Sequence, residues 1–72
     1  ILVNAVSPGF VDTELTRQIL GEKGLERLVR TIPLKRMASA KEIAKIVLFL
    51  SSDFNTYITG QNIIVDGGFS SA

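Results

Sequence analysis

Ile1-Leu2-Val3-Asn4-Ala5-Val6-Ser7-Pro8-Gly9 opens the sequence, apolar through position 6 apart from Asn4, then a proline and a glycine. Near-continuous apolar character over so short a run predicts a strand at residues 1–6 that is covered on both faces, as in a parallel sheet. Pro8 removes a ladder donor and Gly9 brings backbone freedom, so the strand is expected to end there. From Asp12 the chemistry turns helical: Asp12 or Thr13 can cap, Glu14 suits a first turn, and Leu15 lies one turn before Ile19.

Working outward, this first helix is expected to stop at Gly21. A second, residues 22–31, carries Leu25, Leu28, Val29 and Ile32 at i, i+3, i+4 and i+7, and Pro33 closes it. Ser39-Ala40-Lys41-Glu42 is a capping box, and Ile43, Ile46, Val47 and Leu50 follow at helical spacing. Ala44, Leu48 and Phe49 widen that apolar face, enough for a sheet on one side and another helix or subunit on the other. Turn residues then lead to a short strand at residues 62–65, stopped by Asp66-Gly67-Gly68. Strand, helices, strand, with a connection too long for a hairpin, predicts a βαβ unit with parallel strands. Two strands cannot form a covered parallel sheet alone, so this α/β unit is incomplete as a domain.

Composition agrees with a globular interior. Of 72 residues 46% are hydrophobic, and Lys plus Arg total 8 against 7 for Asp plus Glu. A net charge of +1 gives no electrostatic reason to expect a nucleic-acid partner or an anionic membrane. The longest apolar run, residues 46–50, is too short for a membrane span. A domain this size buries only roughly 60% of its unfolded surface. With neither Cys nor His for a staple or a zinc site, the stabilising contacts are expected from other protein surface. The sequence opens in a buried-type apolar run without an initiator Met or a basic leader, which reads as one segment of a longer protein, and the absence of Cys is compatible with the expected cytoplasmic location.

In open α/β sheets ligands bind outside the carboxyl ends of the strands. Here that position is Ser7-Pro8-Gly9-Phe10-Val11-Asp12-Thr13. A glycine lets main chain approach a flat ligand, and the main chain of Val11 with the Thr13 hydroxyl can hydrogen-bond an amide or phosphate. On local chemistry alone an ordinary strand-to-helix turn accounts for the same residues.

Several motifs in register add to that reading. Residues 3–9, Thr13, Ile32-Pro33-Leu34-Lys35-Arg36, Lys41-Glu42-Ile43-Ala44, Phe49-Leu50-Ser51-Ser52-Asp53, Tyr57-Ile58-Thr59-Gly60-Gln61 and Val65-Asp66-Gly67-Gly68 resemble, in order and spacing, the C-terminal part of the short-chain dehydrogenase/reductase family. The nearest look is that of 3-oxoacyl-acyl carrier protein reductases and their sugar- or polyol-oxidising relatives. The resemblance implies the last two strands and the lid helices of a Rossmann-type doubly wound sheet, residues 1–72 forming the end of one oxidoreductase domain. It implies NAD or NADP as cofactor, with Pro8 and Gly9 beside the nicotinamide and Val11 and Thr13 holding its carboxamide. The parent enzyme would interconvert a carbonyl, small or carried by an acyl carrier, and a secondary alcohol. Residues 12–32 would be its substrate lid, with Gly21 and Gly24 as joints. The third helix and last strand would join subunits of a homotetramer. Enoyl-acyl carrier protein reductase is the alternative enzyme, although Pro8-Gly9 speaks against it; a noncatalytic assembly module is the other.

Other candidates are weaker. The family's catalytic Tyr precedes a Lys by four residues, whereas Tyr57 has Gln61 there, so Tyr57 is expected to pack and the segment to hold no catalytic residue. Gly21 and Gly24 interrupt helices and lack the strand that a phosphate loop follows. Asp66 is too isolated for a metal site and suits a tight turn. Arg27, Arg30, Lys35 and Arg36 form a basic cluster interleaved with Glu22, Glu26 and Glu42 that can face an acidic carrier or simply solvent.

Overall fold

The computed structural model describes residues 1–71. In chain order the elements are β1 (Ala5–Pro8), α1 (Glu14–Thr31), α2 (Ala40–Ser51), β2 (Asn62–Val65) and a 3-10 turn at Phe69–Ser71. The strands pair in parallel, Ala5 opposite Asn62 through Pro8 opposite Val65. This is the βαβ unit that the spacing of apolar runs predicts, and β2 has the expected bounds.

β1 begins later than the apolar run suggests. Asn4, the one polar residue of that run, donates from Nδ2 to the Ile58 carbonyl (2.9 Å) and accepts the Gln61 N–H (3.0 Å). Gly60 turns at φ 71°, and its N–H reaches the Val3 carbonyl at 2.7 Å. The chain at residues 59–60 therefore joins residues 3–4 as a turn, and the regular ladder starts with the Ala5 N–H on the Gln61 carbonyl (2.8 Å). The Gly9 N–H reaches Val65 O at 3.0 Å. Ala5 and Gly9 share one side of the alternating ladder, so the nitrogen of Pro8 faces away from β2 and its ring removes no bond there.

The two helices expected before Pro33 meet at Gly21, where φ 68° and ψ 177° break α1 in a region only glycine occupies comfortably. Gly24 is no joint: it is helical, and an added Cβ would lie 3.1 Å from that of Leu20. Between the two candidate caps the structure selects Thr13, whose hydroxyl oxygen accepts the Thr16 N–H at 3.2 Å. Asp12 instead receives Arg17 on both carboxylate oxygens, at 2.6 and 2.8 Å. The stripe of the second half faces inward, Leu25, Leu28 and Val29 half-buried and Ile32 only 2% exposed. The capping box of α2 is complete, with Glu42 N–H on Ser39 Oγ (3.1 Å) and Ser39 N–H on Glu42 Oε1 (2.9 Å).

Among the described residues only Ile32 and Asn55 are buried. The chain is a slab of 44 × 25 × 14 Å with a radius of gyration of 14.1 Å, against about 11 Å for a compact domain of its length. Ile64 on β2 is 57% exposed, and a gap of about 250 Å³ lies between Leu2, Val3, Asn4 and Val6 on one side and Val47 and Leu50 of α2 on the other. A parallel sheet with one face open lacks the covering layer that such sheets require. Tyr57, expected to pack, is instead 94% exposed.

Candidate functional site

The carboxyl ends of both strands converge on one short region, and glycine makes the convergence possible. A Cβ on Gly9 would stand 2.7 Å from Asp66 Cβ and 2.9 Å from its Cα, closer than real side chains come. Gly9 is thus required by the packing of strand ends as well as being suited to a nearby ligand. Past β2 the chain doubles back through Gly67 (φ 63°) and Gly68 (φ 90°). The Asp66 carboxylate organises this turn, Oδ1 accepting the Gly68 N–H and Oδ2 the Ser70 N–H, each at 3.0 Å. Hydrogen bonds from the Ser70 side chain and amide, then from the Gly68 and Phe69 amides, hold the Asp66 carboxyl below its ordinary pKa. The turn delivers Phe69 edge-on to Phe10, ring centroids 5.3 Å apart at 88°. An open cavity of about 500 Å³ lies on the uncovered sheet face here, bounded by Ser7, Pro8, Gly9 and Phe10 on one side and Ile64, Asp66 and Phe69 on the other.

Beyond Phe10 the chain makes one more parallel bridge, Val11 opposite Ala38. Ala38 N–H donates to the Phe10 carbonyl (3.0 Å) and Asp12 N–H to the Ala38 carbonyl (2.7 Å). In a parallel bridge the flanking groups bond the partner, while the central residue's own N–H and C=O point the opposite way. Among the described residues neither main-chain group of Val11 has a hydrogen-bond partner. One donor and one acceptor so held match the acceptor and donor of a primary carboxamide. Thr13 sits two residues on, its oxygen 2.9 Å from Thr16 Oγ1. When Thr16 donates in that pair, the Thr13 oxygen serves the helix and its proton stays available. These residues fit a flat amide-bearing group such as nicotinamide.

All four sequence-predicted positions therefore fall within one strand end and its exit: Pro8 and Gly9 line the cavity, and Val11 and Thr13 lie beyond its Phe10 edge. Sequence reasoning did not foresee the Val11–Ala38 bridge or the contact between Phe10 and Phe69, because both join residues remote in sequence. Asp66 was legible as a turn residue but not as a neighbour of Gly9. The basic cluster is largely engaged: Arg36 grips Glu42 at 2.7 and 2.9 Å, Lys35 Nζ donates to the Arg30 carbonyl at 2.8 Å, and Arg30 lies 4.0 Å from Glu26. No helix among the described residues is long and apolar enough to cross a membrane.

Comparison with known proteins shows the family and the fold. Residues 1–70 fit the family model described as enoyl-(acyl carrier protein) reductase. The chain belongs to the short-chain dehydrogenase/reductase family, and its parallel α/β unit is part of that family's Rossmann-type sheet. Among curated relatives, the 3-oxoacyl-[acyl-carrier-protein] reductase FabG of Pseudomonas aeruginosa is 53% identical over 68 residues, 94% of this chain. A short-chain dehydrogenase family protein from Francisella tularensis superposes with a TM-score of 0.90 at 35% identity over the whole chain. YwfH, an NADPH-dependent reductase involved in bacilysin biosynthesis, superposes at 0.89 with 38% identity, also over the whole chain. The chain spans 27% of the length of the Pseudomonas relative, 34% of the Francisella chain and 31% of YwfH.

Proposed function

We propose that residues 1–72 are the C-terminal part of a single Rossmann-type domain in a cytoplasmic, NAD- or NADP-dependent oxidoreductase. Its reaction interconverts a carbonyl and a secondary alcohol, with a 3-oxoacyl group on an acyl carrier as the substrate. The observation that carries this reading is the unpartnered N–H and C=O of Val11, beside the Thr13 hydroxyl, at the carboxyl end of β1. The 53% identity to a 3-oxoacyl reductase supports the substrate class.

The bound nicotinamide supplies the hydride. Val11 would hold the carboxamide, its N–H offered to the amide oxygen and its C=O to the amide nitrogen, and Thr13 would add its hydroxyl, so that these residues would orient the nicotinamide toward the substrate. Phe10 gives an apolar wall at the strand exit. A Tyr general acid and its Lys neighbour belong to the rest of the enzyme. Residues 12–32 form the substrate lid, broken at Gly21, and the segment alone is inactive. α2, whose Val47, Leu48 and Phe49 are exposed, and β2 make the subunit contact of a homotetramer.

The family description names an enoyl reductase, whereas Pro8-Gly9 favours the 3-oxoacyl reaction. In the complete subunit, a 3-oxoacyl thioester is expected to oxidise reduced nicotinamide and an enoyl thioester to leave it unchanged; the reverse would establish the enoyl reading. Thr13→Val should raise the cofactor KM roughly tenfold, the order of one well-placed hydrogen bond. Thr13→Ser, which keeps both cap and donor, should restore it. Absence of dinucleotide binding by the unaltered subunit would leave the assembly module as the reading.

A further inference from the structure

The turn after β2 touches the chain on either side of the segment 12–32, at Gly9 and Phe10 before it and at residues 32–34 where it ends. At the entrance, Asp66 lies against Gly9, leaving no room for a Cβ, and Phe69 packs edge-on against Phe10. At the exit, the Gly67 carbonyl accepts the Leu34 N–H at 3.2 Å. Cβ atoms built on Gly67 and Gly68 would fall 3.0 Å from Ile32 and 3.1 Å from Pro33. One four-residue turn thus sets the separation between the point where the chain leaves the sheet and the point where it returns. Its shape depends on one side chain, since both oxygens of Asp66 are used on the amides of Gly68 and Ser70.

From this geometry we infer that Asp66 is a positioning residue for the nicotinamide-side turn, acting through Gly9 and Phe10 to hold the Val11 main chain in place. The inference rests on the nicotinamide reading above. Asp66 itself need touch neither cofactor nor substrate: its two acceptor oxygens set the turn, the turn sets Phe69, and Phe69 with the Asp66 backbone sets residues 9–10. Val11 follows immediately, tied on its other edge to Ala38. An error at Asp66 is therefore transmitted to the cofactor amide and not to the distant adenosine half.

The test is Asp66→Asn in the complete subunit. Asparagine keeps one acceptor oxygen but turns an N–H₂ toward an amide that needs an acceptor, so the turn loosens without loss of volume. Affinity for the intact reduced dinucleotide, read by its fluorescence, should fall roughly tenfold, the order of one or two weakened hydrogen bonds to the amide. Affinity for ADP-ribose, or its 2′-phosphate if the enzyme takes NADP, should stay within about twofold, since the adenosine half is untouched. If Asp66→Asn does not fold, Phe69→Leu removes the aromatic edge while leaving the turn bonds, and the same selective loss is expected. Equal loss for dinucleotide and fragment, or no loss in either variant, overturns the inference. A wild-type subunit that binds the fragment and gains nothing from the nicotinamide would instead overturn the reading on which it rests.

Discussion

Gly9→Ala places a methyl group where the structure has no space. The added Cβ would meet Asp66 Cβ at 2.7 Å and Cα at 2.9 Å, about an ångström inside ordinary contact, and one of these atoms is backbone. Gly9 lies outside the left-handed region, so alanine meets no left-handed penalty there and even gains slightly from a less flexible unfolded chain; any destabilisation comes from the steric overlap. Relief requires the ends of β1 and β2 to part, straining the Gly9 N–H bond to Val65 (3.0 Å) and shifting Phe69 from Phe10. Overpacking of this kind costs about 1–3 kcal/mol. In the complete subunit that corresponds to a fall in Tm of about 2–12 °C. The assay is thermal unfolding of Gly9→Ala with and without reduced cofactor. Because the displaced residues flank Val11, the stabilisation that cofactor adds should shrink as well. An unchanged Tm would refute the packing argument; a lowered Tm with full cofactor stabilisation would separate the strand junction from the proposed site.

Two further predictions concern the scaffold. Asn55, 6% exposed, donates to the carbonyls of Leu50 and Ile58 and accepts the N–H groups of Tyr57 and Ile58. Asn55→Ala strands several of these groups, so a loss of about 3 kcal/mol or more is expected by denaturant unfolding. For Glu42, the two-point grip of Arg36 and then the Ser39 amide pull the carboxyl down to about 2. A depressed folded pKa stabilises above the unfolded value, so the capping box should hold at neutral pH and lose its contribution as pH falls from about 4.5 towards 2. Acid titration of stability should show Glu42→Gln losing that part of the slope; an identical acid limb would contradict the assignment.

Local chemistry is what made most of the fold legible. The capping box at Ser39, the glycine break at Gly21, the stop at Pro33 and the apolar run ending at Val65 act over a few residues, and each stands where its pattern predicts. The parallel pairing of two strands also follows from a connection too long for a hairpin. The four proposed site positions come from the rule that ligands gather at strand carboxyl ends, together with the family resemblance; the fold shows that they share one strand end and its exit. The first strand's start was not, because Asn4 and Gly60 decide it jointly across 56 positions of sequence.

What the tertiary structure alone decided is which residues meet. Ala38 returns to Val11 and so turns one amide and one carbonyl outward. Asp66 closes on Gly9, and Phe69 reaches Phe10, because two parallel strands end at the same level. Thr13, and not Asp12, takes the helix cap, since Asp12 is held by Arg17. Spacing and residue type carry local conformation, which short-range sterics and hydrogen bonds determine. Proximity between distant segments depends on strand register and helix direction summed over the whole connection, and no single stretch of sequence encodes that sum.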